Sequence, residues 1–321
     1  MRARYSLFLF MLVIACNDAT DKGTSKAINS KIPEIATPSF NQDSAYIFIK
    51  KQVDIGPRVP NSPAQDSCAK FFIKKLRSFN LDVTTQEGQV TGHDGLKLRF
   101  INIIASSNPK ALNRILLCAH WDTRPIAERD IVRQNEPIPG ANDGASGAGV
   151  LLEIGRLLGE TPPNIGVDIV LFDVEDYGKP NVTDSYCLGS QYWSKAALAK
   201  GYYPKYGILL DMVGAKDAQF YLEGYSMKFA PHIIKKVWKT AANLGYSNHF
   251  EFKQTPAVTD DHLYVNTMAK IPCINIIQYD PLTPTNFGSY WHTHNDNMEI
   301  IDKATLKAVG QTILEVVYSE N

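Results

Sequence analysis

Hydrophobic and polar positions follow two different spacings from about residue 36 onward. Apolar residues recur at nearly helical intervals in segments that predict five helices, at residues 62–79, 145–158, 188–199, 229–244 and 302–318. Short runs rich in Ile, Leu and Val predict five buried strands, at residues 98–105, 114–119, 167–172, 206–212 and 271–277. Apolar strands with helices between them are typical of a mostly parallel sheet covered on both faces, so the pattern indicates one α/β domain.

The first sixteen residues have the pattern of an export signal. Arg2 and Arg4 precede an apolar run of nine residues, Leu7 to Ala15, which is too short to span a bilayer. Cys16 follows directly, as in the cleavage box of bacterial lipoproteins, where that cysteine becomes the lipidated N-terminus; an ordinary signal-peptide end is the alternative. The polar stretch after it is typical of a flexible tether. We therefore expect an exported bacterial lipoprotein facing the periplasm, with a signal peptide at residues 1–16, a tether at 17–35 and one domain at 36–321.

Composition argues against two classes of protein. Lys plus Arg equals Asp plus Glu, at 33 each, so the chain has no excess charge with which to attract nucleic acid. The cysteines beyond Cys16 are too few and too scattered for a fold built on disulfides: Cys68, Cys118, Cys187 and Cys273. With 44% hydrophobic residues, the chain has enough apolar side chains for one large core.

Acidic side chains follow three of the predicted strands, at the edge of the sheet where functional groups gather in α/β proteins. The strands run into His120-Trp121-Asp122, Asp173-Val174-Glu175-Asp176 and Asp211. A further acid, Asp143, lies in the loop GANDGASGAG, whose small residues allow a close approach of the backbone. Each acid alone fits a turn or a helix cap, but together they would repel one another and lose hydration. Such a cluster must bind protons, cations or both.

A divalent metal is the simplest way to stabilise these acids. Carboxylates combined with one or two imidazoles suit zinc at a catalytic site, where three protein ligands leave one position open. Ligands scattered along the chain also favour a catalytic site over a structural one. The candidate imidazoles are those of His120, His262, His292 and His294.

Six motifs, spread in order over most of residues 50–320, carry a family resemblance: HWD, GANDGASGAG, FDVEDYG, LLDMVG, TDDH and YWHTHNDN. They resemble the zinc aminopeptidase-like fold and, more narrowly, the animal-type glutaminyl cyclases in a bacterial exported form. Members of that family convert the N-terminal glutamine of peptides and proteins into pyroglutamate and release ammonia. The resemblance implies a three-layer α/β sandwich with a mixed, mostly parallel central sheet, as in zinc exopeptidases.

The resemblance also implies a metal site. In the family, the ligands are the Asp of the Gly/Ala-rich loop, the second acid of an acidic pair and the His that follows Trp. These positions correspond to Asp143, Asp176 and His292, which would bind one zinc ion per chain. One departure stands out, because animal members usually have Glu-Glu where this chain has Glu175-Asp176. The shorter side chain should shift the metal slightly without changing the charge balance.

The remaining roles implied by the resemblance concern catalysis and the substrate. Glu175 would be the general acid and base, beside a hydrogen-bonded proton network formed by Asp211 and Asp260. Trp291 would form an apolar wall for the glutaminyl side chain. Trp193 matches the family less closely and would contact the substrate as well, or else be a core residue on a helix face.

Two other functions fit part of the same pattern. A two-zinc aminopeptidase on this scaffold would use Asp143 to bridge the metals, His120 and Asp211 to complete the second site, and Glu175 to activate a hydroxide. Asp260, where such peptidases tend to have Ser, and Trp291 favour the cyclase. A non-enzymatic lipoprotein that keeps the fold as a binding module is the third class, and the presence of Glu175 speaks against it.

Overall fold

The computed structural model describes residues 35–320. The predicted signal peptide, Cys16 and the predicted tether up to residue 34 lie outside these described residues. The helices are α1 Gln42–Ile55, α2 Pro63–Ser78, α3 Ala145–Glu160, α4 Leu188–Ala199, α5 Gly224–Phe229, α6 Pro231–Asn243, α7 Asp261–Thr267 and α8 Lys303–Tyr318. The strands are β1 Asp82–Thr91, β2 Lys97–Ser107, β3 Arg114–His120, β4 Gly166–Phe172, β5 Gly207–Asp211, β6 Phe220–Leu222, β7 Phe250–Gln254 and β8 Cys273–Ile277.

Six strands form the central sheet, in the order β1-β2-β4-β3-β5-β8. Strands β4, β3, β5 and β8 run parallel to one another, whereas β2 is antiparallel to both β1 and β4. Strands β6 and β7 form a separate parallel pair. The predicted α/β class with a mixed, mostly parallel sheet is confirmed, and each of the ten predicted elements has a counterpart. The pattern does not predict α1, α5, α7, β1, β6 or β7.

Two apolar clusters lie on opposite faces of the sheet and make the fold three-layered. The larger cluster joins α1, α2, α3, α6 and α8 to one face, with Leu117 and Ile208 among its strand residues. The smaller one joins α4 and α7 to the other face through the neighbouring residues Leu116 and Leu209. Strands buried on both faces are almost continuously apolar, which explains why the sequence pattern identified β3, β4, β5 and β8.

The parallel strands end at one edge of the sheet, and this edge positions the acidic residues. His120 is the last residue of β3, Asp211 is the last residue of β5, and the sequence Asp173 to Asp176 follows β4 directly. Asp260 caps the N-terminus of α7 by accepting the backbone N–H of Asp261. Across residues 35–320, no helix is both long enough and apolar enough to cross a membrane.

Candidate metal centre and active site

Three side chains predicted as metal ligands lie together at this edge. One ligand atom from each of Asp143, Asp176 and His292 lies within 4.8 Å of the other two. His292 Nε2 is 3.7 Å from Asp143 Oδ2 and 3.5 Å from Asp176 Oδ1, and all three residues are buried. Asp176 Oδ2 is buried and has no hydrogen-bond partner within the described part of the chain. Two carboxylates and one imidazole, with a buried oxygen that lacks a partner, fit a zinc ion that keeps a fourth position open.

Asp143 is presented by the turn that opens α3. The carboxylate of Asp296 accepts hydrogen bonds from the backbone N–H groups of Asn142 and Asp143, at 2.7 and 3.0 Å. Gly144 follows with a φ of +96°, and a Cβ at this position would lie 2.3 Å from the carbonyl oxygen of Asp122. Glycine therefore fits this turn where a side chain would force the backbone apart.

A sharp turn after β4 separates the side chains of two adjacent acids. Val174 has a φ of 55°, a left-handed conformation that is rare for a β-branched residue. The carboxylate of Asp122 then accepts the backbone N–H groups of Glu175 and Asp176, at 3.0 and 3.1 Å. Arg124 Nη1 donates to the carbonyl oxygen of Asp176 at 2.8 Å and lies 3.5 Å from its Oδ1. Asp176 can thus join the metal-ligand cluster while Glu175 joins a second group of acids.

His292 is oriented by a hydrogen bond on the far side of its ring. Its Nδ1 is 2.8 Å from Glu128 Oε1, so Nε2 faces the carboxylates of the cluster. The ring also stacks on Trp291, with centroids 3.6 Å apart. Burial favours the neutral ring, but the surrounding carboxylates, Asp176 first, outweigh burial and raise the pKa of His292 to about 9. Against the effect of its own burial, the same contact helps to lower the pKa of Glu128 to about 2.

A pocket of about 230 Å³ lies next to the cluster. Its lining includes the three cluster residues together with Glu175, Asp211, Asp260, Phe287 and Trp291. Phe287 packs against Trp291, with ring centroids 4.9 Å apart. The pocket therefore has a metal-ligand side, an acidic side and an apolar side, as an active site for a small polar group requires.

The acids of this pocket share one electrostatic environment. Side-chain oxygens of Glu175 and Asp260 and the sulfur of Cys187 lie within 4.8 Å of one another, and the thiol donates to Glu175 Oε1 at 3.2 Å. Burial raises the pKa of Glu175 well above its usual value and raises the pKa of Asp260. Burial and the charge of Asp260 also raise the pKa of Asp211 to about 7. These acids can therefore take up and return protons near neutral pH.

A second set of possible metal ligands lies beside the first. His120 Nε2 is 3.1 Å from both Asp143 Oδ1 and Asp211 Oδ1. Ligand atoms of these three residues also lie within 4.8 Å of one another. Burial favours the neutral ring, but the carboxylates of Asp122, Asp143 and Asp211 around it raise the pKa of His120 well above its usual value. The residues that the aminopeptidase alternative requires for a second metal are therefore also together.

Trp193 lies elsewhere, which corrects its predicted contact with the substrate. Its side chain is buried and packs edge-on against Phe172 and Tyr202, with ring centroids 5.5 and 5.8 Å away. It does not line the pocket beside the metal-ligand cluster. Position 193 is on the face of α4 that packs on the sheet, so this indole belongs to the core.

Two further histidines considered as metal ligands bind carboxylates outside the cluster. His262 Nε2 is 3.0 Å from Glu223 Oε2, and His294 Nδ1 is 2.5 Å from Asp130 Oδ2. Neither belongs to a group of three potential metal ligands within residues 35–320. Within residues 35–320, the imidazoles that belong to groups of potential metal ligands are thus those of His120 and His292.

Sequence patterns assigned no role to several residues that support the site. Glu128 and Arg124 lie in the loop after β3, and Asn275 lies inside β8. Periodicity gives no signal for a loop residue, and a polar residue inside an apolar strand is the available signal for Asn275. Asp122 and Asp296 do lie within the motifs HWD and YWHTHNDN, which is the signal that could have pointed to them.

Comparisons with known proteins agree with this geometry. The model of peptidase family M28 matches residues 102–317. The glutaminyl cyclase of Bacteroides thetaiotaomicron, solved with bound N-acetylhistamine, is 49% identical, with a TM-score of 0.86 over 89% of this chain and 100% of that chain. A Zn-dependent exopeptidase from Parabacteroides distasonis is 48% identical, with a TM-score of 0.87 over 89% and 100%. The glutaminyl-peptide cyclotransferase of Drosophila melanogaster is 22% identical over an alignment that covers 91% of this chain and 85% of that protein.

Proposed function

This chain belongs to peptidase family M28, and we propose that it acts as a glutaminyl-peptide cyclotransferase on peptides or proteins with an N-terminal glutamine. The proposal rests above all on one observation. Glu175 and Asp260, within 4.8 Å of each other, line the same small pocket as the metal-ligand cluster and Trp291. The similarity to glutaminyl cyclases supports it further.

We propose one zinc ion per chain, bound by Asp143, Asp176 and His292. A zinc ion held by these residues would supply Lewis-acid chemistry at the side-chain amide carbonyl of the bound glutamine. Asp211 would then be free to share a proton with Asp260 instead of binding a second metal. This arrangement suits cyclisation, which needs no activated water because the nucleophile is the substrate's own α-amine.

The acids move the protons of the reaction. Glu175 accepts a proton from the α-amine as the nitrogen bonds to the side-chain carbonyl carbon. The bond from that carbon to the amide nitrogen breaks, and Glu175 returns the proton so that the nitrogen leaves as ammonia. Asp260 accepts a hydrogen bond from the amide nitrogen, and Asp211 shares a proton with Asp260. A well-oriented ring closure of this kind reaches an effective molarity on the order of 10⁵ M, so positioning supplies much of the rate.

Trp291 forms the apolar wall of the pocket. It is held between His292, on which it stacks, and Phe287, against which it packs. A rigid indole at this position would press the aliphatic part of the glutaminyl side chain toward the acids and exclude water from the reacting amide.

A two-zinc aminopeptidase is the second candidate. It is favoured by the juxtaposition of His120, Asp143 and Asp211 and by the similarity to a Zn-dependent exopeptidase. Metal counting combined with two substrates separates the candidates: a peptide that begins with glutamine, assayed for ammonia, and a leucine anilide, assayed for cleavage. One zinc per chain with ammonia release supports the cyclase. Two zinc ions with anilide cleavage would overturn it.

We also propose that the protein is exported and anchored by a lipid on Cys16. The basic residues Arg2 and Arg4, the short apolar run and the position of Cys16 support this. Mass spectrometry of the mature N-terminal peptide tests it. A diacylglyceryl group on Cys16 is expected, and an unmodified N-terminus at or beyond this position would contradict the anchor.

A further inference from the structure

The carboxylate of Asp260 is held by the side chain of Asn275, a residue with no assigned role. Asn275 lies in β8 and is fully buried. Its Nδ2 donates to Asp260 Oδ2 at 2.5 Å, while Asp260 Oδ1 accepts the backbone N–H of Asp261 at 2.5 Å. Each oxygen of Asp260 thus has one donor from the protein, which fixes the plane of the carboxylate. Asn275 does not line the pocket, so any effect on the substrate is transmitted through Asp260.

The chain on either side of Asp260 is fixed by a second buried group, the carboxylate of Glu223. Glu223 Oε1 accepts the backbone N–H of Val258 at 2.8 Å, two residues before Asp260. Glu223 Oε2 is 3.0 Å from His262 Nε2, two residues after it. Burial would favour the neutral acid, but the contact with His262 and the backbone N–H donors lower the pKa of Glu223 to about 2. The buried carboxylate is therefore charged, and its hydrogen bonds are strong and hold the whole turn.

Ser226 connects this carboxylate to the strand that carries Asn275. Its hydroxyl donates to Glu223 Oε2 at 2.7 Å and accepts the backbone N–H of Asn275 at 2.9 Å. The turn around Asp260 and the donor to Asp260 therefore belong to one hydrogen-bonded unit. Strand β8 pairs with β5, which ends in Asp211, so the same unit also sets the position of Asp260 relative to Asp211.

We propose that Asn275 is a positioning residue that keeps Asp260 in place to accept a hydrogen bond from the side-chain amide nitrogen of the substrate. This inference rests on the proposed cyclase function. The half of the Asn275 amide that faces the carboxylate is the NH₂ group, and its Oδ1 has no partner within the described residues. The NH₂ group is therefore the part of the Asn275 side chain that makes a hydrogen bond, and it makes this bond to Asp260. Without it, Asp260 can rotate away from the geometry that the leaving nitrogen requires.

The test compares Asn275→Leu and Asn275→Asp with the matched variant Asn266→Leu. Asn266 is also buried and lies in α7, and its amide bonds the backbone N–H and C=O of Cys273 in β8. It therefore links the same two elements without contacting Asp260. Asn275→Asp keeps the shape of the side chain but places an acceptor where the donor was.

Both Asn275 variants should lower kcat for a glutamine-initiated peptide by about 10-fold to 100-fold, the usual effect of losing a supporting contact, with KM changed much less. Asn266→Leu should lower the melting temperature but leave kcat near the wild-type value at temperatures where it is folded. Wild-type kcat in Asn275→Asp would overturn the inference. So would equal losses of kcat in the Asn275 and Asn266 variants that follow their losses of stability. If the wild-type enzyme itself releases no ammonia, the proposed function fails, and the inference fails with it.

Discussion

Glu128 Oε1 lies 2.8 Å from His292 Nδ1, on the side of the ring opposite the metal-ligand cluster. This contact fixes the tautomer and the orientation of the imidazole, so that Nε2 is the nitrogen available to a metal. Glu128 is in turn paired with Arg124, whose guanidinium also contacts the Asp176 carbonyl. Two of the three proposed metal ligands are thus supported by one ion pair.

Replacing Glu128 should weaken zinc binding without unfolding the protein. Glu128→Ala removes the acceptor for Nδ1, and we expect the dissociation constant for zinc to rise by about 10-fold to 100-fold, as for other partners of metal-bound histidines. Competition with a chromophoric chelator measures it. Glu136→Ala is the matched control, because Glu136 pairs with Arg133 on the exposed part of the same loop. Equal zinc affinities in the two variants would contradict the role of Glu128.

Glu175→Gln separates proton transfer from metal binding. Gln has nearly the same shape as Glu but cannot act as a base, so ammonia release from a glutamine-initiated peptide should fall by about 10² or more. The zinc content should stay at the wild-type value, because Glu175 does not belong to the cluster of Asp143, Asp176 and His292. Unchanged turnover would end the assignment of Glu175 as general acid and base. Loss of zinc would instead indicate that Glu175 is a metal ligand.

Zinc affinity should depend on pH in a direction set by His292. In the metal-free chain its pKa is raised from 6.5 to about 9, so the ring is protonated at neutral pH. The charged ring therefore contributes to the free energy of unfolding of the metal-free protein. This contribution is fully present below about pH 6.5 and is lost as the pH rises through about 9. Zinc needs the neutral ring and must displace this proton.

The expected result is an apparent zinc affinity that rises about tenfold per pH unit between pH 6 and pH 8, because about one proton is released per zinc bound. Calorimetry in buffers of different ionisation enthalpy would count that proton directly. An affinity that stays constant over this range would mean that His292 is already neutral before zinc binds.

The sequence predicts the buried strands and the helices between them better than it predicts the polar edge of the sheet. Helix α4 occupies the predicted residues 188–199 because its apolar residues repeat with the helical period. Strand β1 is not predicted by the sequence pattern, because most of its residues are exposed or partly exposed. Its pairing with β2 comes from backbone hydrogen bonds between residues such as Val83 and Ala105, and these leave no hydrophobic signature.

The candidate site also contains residues that the sequence predicts and residues that it does not. Acids at strand ends are visible in the sequence, because apolar strands rarely end in several carboxylates unless something binds them. The partners that orient these acids are not visible. Glu128 meets His292 across 164 positions of the chain, and Asn275 reaches Asp260 only because α7 begins against β8. Such contacts are properties of the folded backbone.

Trp291 and Trp193 provide a direct test of the division between site and core. Trp193 is 6% exposed and packs between Phe172 and Tyr202, so Trp193→Ala should lower the free energy of unfolding by about 3–5 kcal/mol. Its effect on kcat should be small at temperatures where the variant is folded. Trp291 lines the pocket and is only partly buried, so Trp291→Ala should cost less stability and reduce kcat/KM for a glutamine-initiated peptide.

Urea unfolding and steady-state kinetics on the same two preparations separate these effects. The two variants serve as controls for each other, because each removes one indole from the same chain. We expect the stability loss in one and the catalytic loss in the other, since Trp193 contacts the sheet and Trp291 contacts His292. A Trp193→Ala protein that is fully stable but catalytically impaired would indicate that Trp193 contacts the substrate after all. A Trp291→Ala protein with wild-type kcat/KM would remove the apolar wall from the proposed mechanism.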